Sequence, residues 1–289
     1  MIINLSRSGR SGNQLLLFVH LLAVSIETGQ PLITIFGKAV FELTGHVRVK
    51  TPNGSKWCIA FPINPHGLVF WFLFGIATRF RRWVFPHTVQ NGQHIRECSH
   101  LKTLGRIHLV SNWYSRDHML VEKHAEKIRE YLRFSNRHVI ASQAVVETIR
   151  KDNPTTLLVG VHLRRTDYRQ WNNGRFAYSD SQYKRFLRSF SDAYNGTRSV
   201  HFVLVSDEKI STDSVVPSGL SATFFSRSTF EDMAMLSKCD FVIGPPSTFS
   251  QLAAFLGGRK YHAVFNADDP CFPSSFVRLS TVRDVGEME

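Results

Sequence analysis

Short apolar runs of strand type alternate with longer stretches of helical period along most of the chain. Residues 2–5 predict a first strand, and residues 14–28 carry the broad apolar face that is typical of a helix. The polar, glycine-containing stretch at 6–13 predicts the turn between them, and residues 31–36 predict a second strand. A strand, a glycine turn and a helix in this order place backbone N–H groups where an anion can bind.

The second half of the chain repeats this alternation, which is typical of α/β proteins. The break at Asn153-Pro154 predicts a boundary between two lobes, one in residues 1–152 and one in residues 153–289. We therefore predict an α/β fold of two Rossmann-like lobes that face a cleft. Further strands are predicted at 156–163, 201–205 and 240–243, and further helices at 122–134, 137–151, 181–194, 229–238 and 250–256.

An intensely apolar run at residues 67–77 is followed by Arg79, Arg81 and Arg82. The run is too short to span a bilayer, which needs roughly 20 residues, so a buried helix is the default interpretation. The alternative is that Phe70 to Arg82 lies in a membrane interface as a peripheral contact. The N-terminus lacks the pattern of a signal peptide, and we expect a cytoplasmic protein without a transmembrane span.

Composition narrows the range of partners. Hydrophobic residues make up 43% and charged residues 20% of the 289 residues, as in globular proteins. The net charge of +12 predicts an anionic partner. No zinc-finger or RNA-recognition signature accompanies the basic residues, so we expect no nucleic acid. The four cysteines form no CxxC pair and no Asp-x-Asp triplet lies near a strand end, so we expect no bound metal.

The segment His162-Leu163-Arg164-Arg165-Thr166-Asp167-Tyr168 follows the apolar strand predicted at 156–163. Ligands of open α/β sheets bind at the carboxyl ends of strands. Two adjacent arginines there are costly unless they meet an anion, and a guanidinium binds phosphate oxygens in a bidentate manner. This pattern favours a phosphate site at Arg164 and Arg165. The alternative is a salt bridge between the lobes, to Asp167 or another carboxylate.

Two further polar segments follow predicted strands of the same lobe. Ser206-Asp207-Glu208 offers a carboxylate that can accept the N–H groups of guanine, or else an ordinary helix N-cap with acids in the first turn. Ser247-Thr248-Phe249-Ser250 precedes a helix, where hydroxyls and free N–H groups suit a phosphate or a sugar hydroxyl. Capping by serine is again the alternative. We expect all three segments to face one cleft.

Together these motifs resemble the alpha-1,2-fucosyltransferases and their relatives in the GDP-fucose-dependent superfamily. Thr166 stands where glycine is usual in the alpha-1,2 branch and is closer to the RRTD of alpha-1,6 relatives, and Gln251 stands where an aromatic residue is usual. The similar segments are Gly9-Arg10-Ser11-Gly12-Asn13-Gln14 (GRxGNQ), Asn112-Trp113-Tyr114-Ser115-Arg116-Asp117, His162 to Tyr168 (HxRRGDY), Ser206-Asp207-Glu208, and Asp232 through Ser250.

The resemblance implies a GT-B-like fold and an inverting transfer of L-fucose from GDP-fucose to a glycan hydroxyl, without a metal or other cofactor. Its first lobe would hold the glycan acceptor and its second the donor. Arg164 or Arg165 would stabilise the leaving diphosphate, and Asp167 would hold the arginines or the sugar, or act as a base. The residues expected to contact the donor are Gly12, Asn13, His162, Ser206, Asp207, Glu208, Ser247, Thr248, Phe249 and Ser250, with the His162 imidazole buried as a structural group.

The resemblance implies an alpha-1,2 linkage to a galactoside. Four alternatives remain open at this point. The first is an enzyme that makes an alpha-1,6-like linkage, and the second is a transferase that uses another nucleotide sugar. The third is a protein that binds a nucleotide sugar without catalysis. The fourth alternative is a basic protein that binds a membrane interface or nucleic acid.

Overall fold

The computed structural model describes residues 1–6, 10–49, 58–62, 107–110 and 115–282, which form two compact units. Unit 1 comprises Met1–Ser135 and Ser280–Val282, and unit 2 comprises Asn136–Leu279. Each unit carries a sheet whose strands run mainly parallel, so the predicted α/β class is confirmed. The predictions for 67–77, for Phe70 to Arg82 and for 112–114 lie outside the described residues. In the described ranges, no helix is both long and apolar enough to cross a bilayer.

Unit 1 is built on a five-stranded sheet in the order β3-β4-β2-β1-β5, counted over the described residues. Its strands pair in parallel except for β3, which runs antiparallel to β4. The strands are β1 (Ile2–Asn4), β2 (Leu32–Thr34), β3 (Arg48–Val49), β4 (Cys58–Ala60) and β5 (His108–Val110), and the helices are α1 (Ser11–Thr28), α2 (Lys38–Thr44), α3 (His118–Lys123) and α4 (Ala125–Tyr131).

Helix α1 begins three residues before its predicted start at 14. The N–H of Gln14 donates to the carbonyl of Arg10 at 3.2 Å, so Gly12 and Asn13 lie in the first helical turn rather than in a loop. The sequence did not predict this turn, because Ser, Gly and Asn have weak helix propensity. In the folded protein the tertiary environment overrides that low propensity. The helix ends at Gly29, whose φ of 63° is the left-handed conformation that glycine adopts without strain.

Unit 2 is built on a six-stranded sheet in the order β11-β10-β9-β6-β7-β8, again over the described residues. All pairings are parallel except that of β11. The strands are β6 (Leu157–Leu163), β7 (Val200–Ser206), β8 (Ser221–Phe224), β9 (Phe241–Gly244), β10 (Lys260–Ala263) and β11 (Val277–Arg278), and the helices are α5 (Asn136–Arg150), α6 (Asp180–Ala193), α7 (Thr212–Val215), α8 (Thr229–Lys238) and α9 (Thr248–Gly257).

Strand β6 lies at the centre of this sheet, and all seven of its residues are buried. A parallel strand covered on both faces requires a continuous apolar run, which is the pattern that predicted it. At its carboxyl end Leu163 lies opposite Ser206 of β7, and Val161 lies opposite Ile243 of β9. The three polar segments that follow β6, β7 and β9 therefore meet at one edge of one sheet.

Helix α6 covers this sheet with a buried face of Tyr183, Phe186, Leu187 and Phe190. It begins at a capping box, in which Ser179 and Gln182 satisfy each other's backbone N–H groups. The aromatic residues contact one another edge to face, with Tyr183 and Phe186 ring centroids 5.8 Å apart. This rigid layer fixes the start of the helix beside the loop that follows β6.

The division between the units falls at Ser135/Asn136, whereas the sequence placed it between residues 152 and 153. Helix α5 packs on α8 and belongs to unit 2. Arg150 at its end donates to Asp240 at 3.2 Å. The Asn153-Pro154 turn is therefore a connection within unit 2 and not a boundary.

The chain also returns to unit 1 at Ser280–Val282. The N–H of Asp117 donates to Nδ1 of the buried His20 at 2.9 Å, so the other ring nitrogen carries the hydrogen and donates to the carbonyl of Val282 at 3.0 Å. Burial lowers the pKa of His20 to about 3 and keeps the imidazole neutral. These bonds attach the late segment to helix α1.

Candidate functional site

Arg164 is the first residue after β6, and its guanidinium pairs with Asp167 in the same loop. Nη2 donates to Oδ2 of Asp167 at 3.0 Å, and Nε lies 2.9 Å from Oδ1. Nε also lies 3.5 Å from Oδ2 of Asp207, and the guanidinium sits 5.6 Å from the centroid of the Tyr168 ring. The ion pair to Asp167 weighed from the sequence is thus present, inside the motif.

Arg165 points toward helix α6 and the segment after β7. Its Nε donates to the carbonyl of Tyr178 at 3.0 Å, while its terminal nitrogens lie 2.6 Å from Asp180 and 3.5 Å from Glu208. The guanidinium also lies over the ring of Tyr183, 5.4 Å from the centroid. Contacts with several elements hold this cation in one place.

Nε of Arg164 and Nη2 of Arg165 are both buried, and neither makes a geometrically acceptable hydrogen bond with a described residue. Carboxylate oxygens lie near both nitrogens, but their directions do not suit the N–H groups. Buried donors without an aligned acceptor are costly. An anion placed on the line of these N–H bonds would remove that cost, so the two guanidinium groups together are a candidate anion-binding feature.

Asp207 holds the loop that carries these arginines. Its Oδ1 accepts from the backbone N–H of Arg165 at 3.0 Å, and its Oδ2 accepts from the N–H and the hydroxyl of Thr166 at 3.3 and 2.5 Å. These contacts give the carboxylate a positioning function that the sequence did not indicate. Its suggested contact with guanine stays a prediction. Thr166 supplies a hydroxyl contact that the usual glycine cannot make.

His162 lies behind the motif and is buried. Its Nδ1 lies 2.6 Å from Oγ of Ser250, and its ring centroid lies 4.9 Å from that of Phe249. Burial, with a smaller contribution from Arg164, lowers the pKa of His162 to about 3. The imidazole is therefore neutral near pH 7, as a structural link between β6 and α9 requires. Gly244 leaves room for it, because an added Cβ would lie 3.0 Å from the His162 Cβ.

Helix α9 begins at Thr248, two residues earlier than predicted, and Ser247 caps it by accepting the N–H of Phe249 at 3.3 Å. Two buried tyrosines fix the preceding turn. The hydroxyl of Tyr168 donates to the carbonyl of Pro246 at 2.9 Å, and the hydroxyl of Tyr261 donates to the carbonyl of Pro245 at 3.2 Å. The helix N-terminus is thus held at the same edge as the arginines. A donor contact by Thr248 remains a prediction.

Ser206 and Glu208 flank Asp207 and differ in exposure. Ser206 is buried, and its hydroxyl accepts from the N–H of Glu208 at 3.2 Å. The Glu208 carboxylate accepts from Arg169 at 2.7 Å and lies 3.5 Å from Arg165. Both residues therefore shape the loop, and their direct contact with a ligand stays a prediction.

The site residues predicted in unit 2 meet at one sheet edge, whereas Gly12 and Asn13 belong to unit 1. Asn13 lines a small pocket there with Asn4 and Thr34, at the carboxyl ends of β1 and β2. Within the described residues, no group of three or more His, Cys, Asp or Glu side chains is arranged to hold a metal ion.

Asp232 was not singled out as a site residue from the sequence. It lies on α8, after the carboxyl end of β8, with 8% of its surface exposed. Its Oδ1 accepts from the N–H of Arg227 at 2.8 Å, and burial raises its pKa to about 7. The sequence did carry a signal for this residue, since Asp232 is an acid that lies between the apolar Phe230 and Met233 in a predicted helix. Buried carboxyls with perturbed pKa values concentrate at functional sites.

Solved structures with the same fold come from fucosyltransferase studies. A mutant of FUT1 from Arabidopsis thaliana in complex with GDP has a TM-score of 0.54 at 11% identity, over 97% of this chain and 74% of that chain. NodZ alpha-1,6-fucosyltransferase soaked with GDP-fucose has a TM-score of 0.54 at 16% identity, over 91% and 94%. NodZ from Bradyrhizobium has a TM-score of 0.53 at 16% identity, over 93% of this chain and 96% of that chain. These similarities confirm the GT-B-like fold.

No curated protein sequence matches the chain. The sequence profile described as glycosyl transferase family 11 matches residues 95–276. This range includes the whole loop after β6, the segment after β7 and the start of α9. Because the match covers more than half of the chain, the protein belongs to glycosyl transferase family 11.

Proposed function

We propose that the protein transfers L-fucose from GDP-fucose to a hydroxyl of a glycan. The observation that carries this proposal is the pair of adjacent, largely enclosed arginine side chains, Arg164 and Arg165, which are 17% and 12% exposed at the carboxyl edge of the unit 2 sheet. Membership of a glycosyltransferase family supplies the reaction type. The donor is inferred from structures of similar fold that hold GDP or GDP-fucose.

In the proposed reaction the bond between the sugar carbon C1 and the β-phosphate oxygen breaks while the acceptor oxygen bonds to C1 from the opposite face, and the proton of the acceptor hydroxyl is released to solvent. Negative charge grows on the departing diphosphate, and Arg164 or Arg165 stabilises it electrostatically. Asp167 keeps Arg164 oriented through two contacts of 3.0 and 2.9 Å. Its carboxylate would act as the base toward the acceptor hydroxyl only after leaving that pair, so we assign it to positioning.

The remaining donor contacts follow from the same sheet edge. Ser247, Thr248, Phe249 and Ser250 lie at the start of α9, where the positive end of the helix dipole favours a phosphate. Two carboxylates are candidates to accept hydrogen bonds from the N–H groups of guanine. One is the buried Asp232, and the other is Asp207, which is bonded to the arginine loop. Unit 2 would thus bind the donor. Unit 1 would serve the acceptor, and Gly12 and Asn13 are its proposed contacts with the donor.

The proposed linkage is alpha-1,2 to a galactoside, following the motif resemblance. An alpha-1,6 linkage is the second candidate, because Thr166 replaces the usual glycine and its hydroxyl contacts Asp207 at 2.5 Å. NodZ, a protein of similar fold, carries that linkage in its name. Methylation analysis of the fucosylated product distinguishes the two.

The proposal is tested with Arg164→Ala and Arg165→Ala, each assayed for transfer from GDP-fucose. Loss of one such donor typically reduces kcat by about 100-fold or more, and we expect that loss in each variant. Arg185→Ala is the matched control, since this exposed arginine pairs with Asp268 away from the motif. Retained turnover in both motif variants would refute the assignment. GDP binding by the wild-type protein without transfer to any glycan would favour a non-catalytic binding protein.

A further inference from the structure

Trp171 is an exposed tryptophan in the loop that directly follows the arginine motif. About 40% of its surface is exposed. Its backbone N–H donates to the carbonyl of Asp167 at 3.0 Å, and its ring packs 4.8 Å from Tyr168 and 5.6 Å from Phe176. The backbone of Trp171 is thus bonded to that of Asp167, the residue paired with Arg164, and its ring is held by Tyr168 and Phe176 while part of its large apolar surface faces solvent.

The residues after Trp171 adopt a conformation that few side chains tolerate. Asn172 and Asn173 have φ values of 48° and 55°, and Gly174 follows with 76°. Asparagine is among the few residues that enter this left-handed region readily, but it still costs of order 1 kcal/mol per residue. Such conformations persist where the surroundings impose them, and they concentrate at ligand sites. The loop is therefore held in a conformation that costs energy.

Exposed amides surround the tryptophan. The side chains of Gln170, Asn172 and Asn173 are solvent-exposed, and none makes a hydrogen bond with any residue in the described parts of the chain. Each amide offers two donors and an acceptor, a combination that matches adjacent sugar hydroxyls. The neighbouring cation, Arg169, is neutralised by Glu208 at 2.7 Å. The surface thus combines a flat apolar ring with amides, and the exposed Arg175 lies over the adjacent Phe176 ring, 4.9 Å from its centroid.

We propose that Trp171, with Gln170, Asn172 and Asn173, forms a platform for a neutral pyranose ring of the acceptor glycan. The C–H face of a pyranose is apolar and packs on the flat, electron-rich face of an indole, while its hydroxyls bond to amides. Because the Trp171 ring packs on Tyr168, and the Arg164 guanidinium lies 5.6 Å from the centroid of that same ring, this sugar would lie near the arginines. The inference rests on the proposed transferase function and assigns part of its acceptor site.

Three variants test the platform by steady-state kinetics with GDP-fucose and N-acetyllactosamine. Trp171→Leu keeps apolar bulk beside Tyr168 but removes the flat ring, and Trp171→Phe restores a smaller ring. The double variant Asn172→Gly, Asn173→Gly keeps the left-handed backbone and removes both amides. We expect the acceptor KM to rise at least tenfold in the leucine and double-glycine variants and less in the phenylalanine variant. The KM for GDP-fucose should stay within about twofold. Phe272→Leu, at another exposed aromatic residue, is the matched control.

Saturation-transfer NMR separates this inference from the proposed function. The wild-type protein with GDP should transfer saturation to the sugar protons of N-acetyllactosamine or another neutral oligosaccharide, and the leucine and double-glycine variants should not. Binding without fucose transfer would refute the proposed function but support the platform. An unchanged acceptor KM or unchanged saturation transfer in both variants would overturn the platform, as would the absence of sugar binding by the wild type.

Discussion

Replacing Asp207 with asparagine should disorder the arginine loop without changing the shape of the side chain. The carboxylate accepts three hydrogen bonds, from the N–H groups of Arg165 and Thr166 and from the Thr166 hydroxyl. An asparagine whose oxygen takes the place of Oδ2 keeps both bonds from Thr166. Its NH₂ group then faces the N–H of Arg165, and because neither group can accept, that bond is lost. The negative charge near Arg164 is lost as well.

The expected cost follows from this lost bond. A hydrogen bond to a charged group contributes about 1.5–3 kcal/mol, and the partial exposure of this carboxylate favours the lower end. We therefore expect a loss of about 1.5 kcal/mol in loop order. If ligand binding must restore that order, the Kd for GDP should rise by up to ~10-fold, because 1.4 kcal/mol corresponds to a factor of ten.

The assay is isothermal titration of GDP and of pyrophosphate into the wild-type protein and Asp207→Asn. If Asp207 only holds the loop, both ligands should weaken by the same factor. If it also binds guanine, GDP should weaken more than pyrophosphate. Asp152→Asn is the control, since Asp152 is exposed and lies in the turn after helix α5. Wild-type affinity for both ligands in Asp207→Asn would show that the loop does not depend on this carboxylate.

Three other substitutions have defined outcomes. Asp232→Asn should remove a pH dependence of stability. The folded protein raises the pKa of this acid from 3.8 to about 7, so folding binds a proton in that window and the free energy of unfolding falls as pH rises from about 4 to 7. Urea unfolding at pH 5 and pH 8 should show a smaller difference in the variant, and an equal difference would refute the burial argument. Thr166→Gly should raise the KM for GDP-fucose by about tenfold, because one bond to Asp207 is lost and glycine loosens the loop; unchanged kinetics would contradict this. Gly244→Ala should destabilise the protein by about 1–3 kcal/mol, because the new methyl would lie 3.1 Å from the carbonyl oxygen of His162. An unaltered Tm would show that the strands adjust.

Elements whose residues are buried on all sides could be predicted from the sequence. Strand β6 was expected at 156–163 and spans Leu157–Leu163, because a central parallel strand needs an uninterrupted apolar run. Helix α8 spans Thr229–Lys238, as predicted, since Ser228 and Glu231 form a capping box that is visible in the sequence. In these cases the local pattern and the tertiary environment require the same residues.

Other features depended on contacts that are distant in sequence. The short strands β8 and β10 were missed, because four residues of mixed polarity carry little periodic signal. The partners of Asp207 depend on how the loop after β6 folds back, which residue type alone does not determine. The motif resemblance predicted which segments would form the site, and three of these segments follow strands that end at one edge of the unit 2 sheet. It did not predict that Asp207 would hold the backbone of that site.

The return of Ser280–Val282 to unit 1 has a consequence for the order of folding during translation. Helix α1 emerges early from the ribosome, but the carbonyl that receives the His20 hydrogen bond belongs to Val282. Ribosomes add about 5–20 residues per second, so this partner is made many seconds after the helix, when unit 2 has already been synthesised. The first unit to be made is thus the last whose contacts are complete, and a nascent chain stalled before residue 280 would expose an unfinished His20 site to chaperones and proteases.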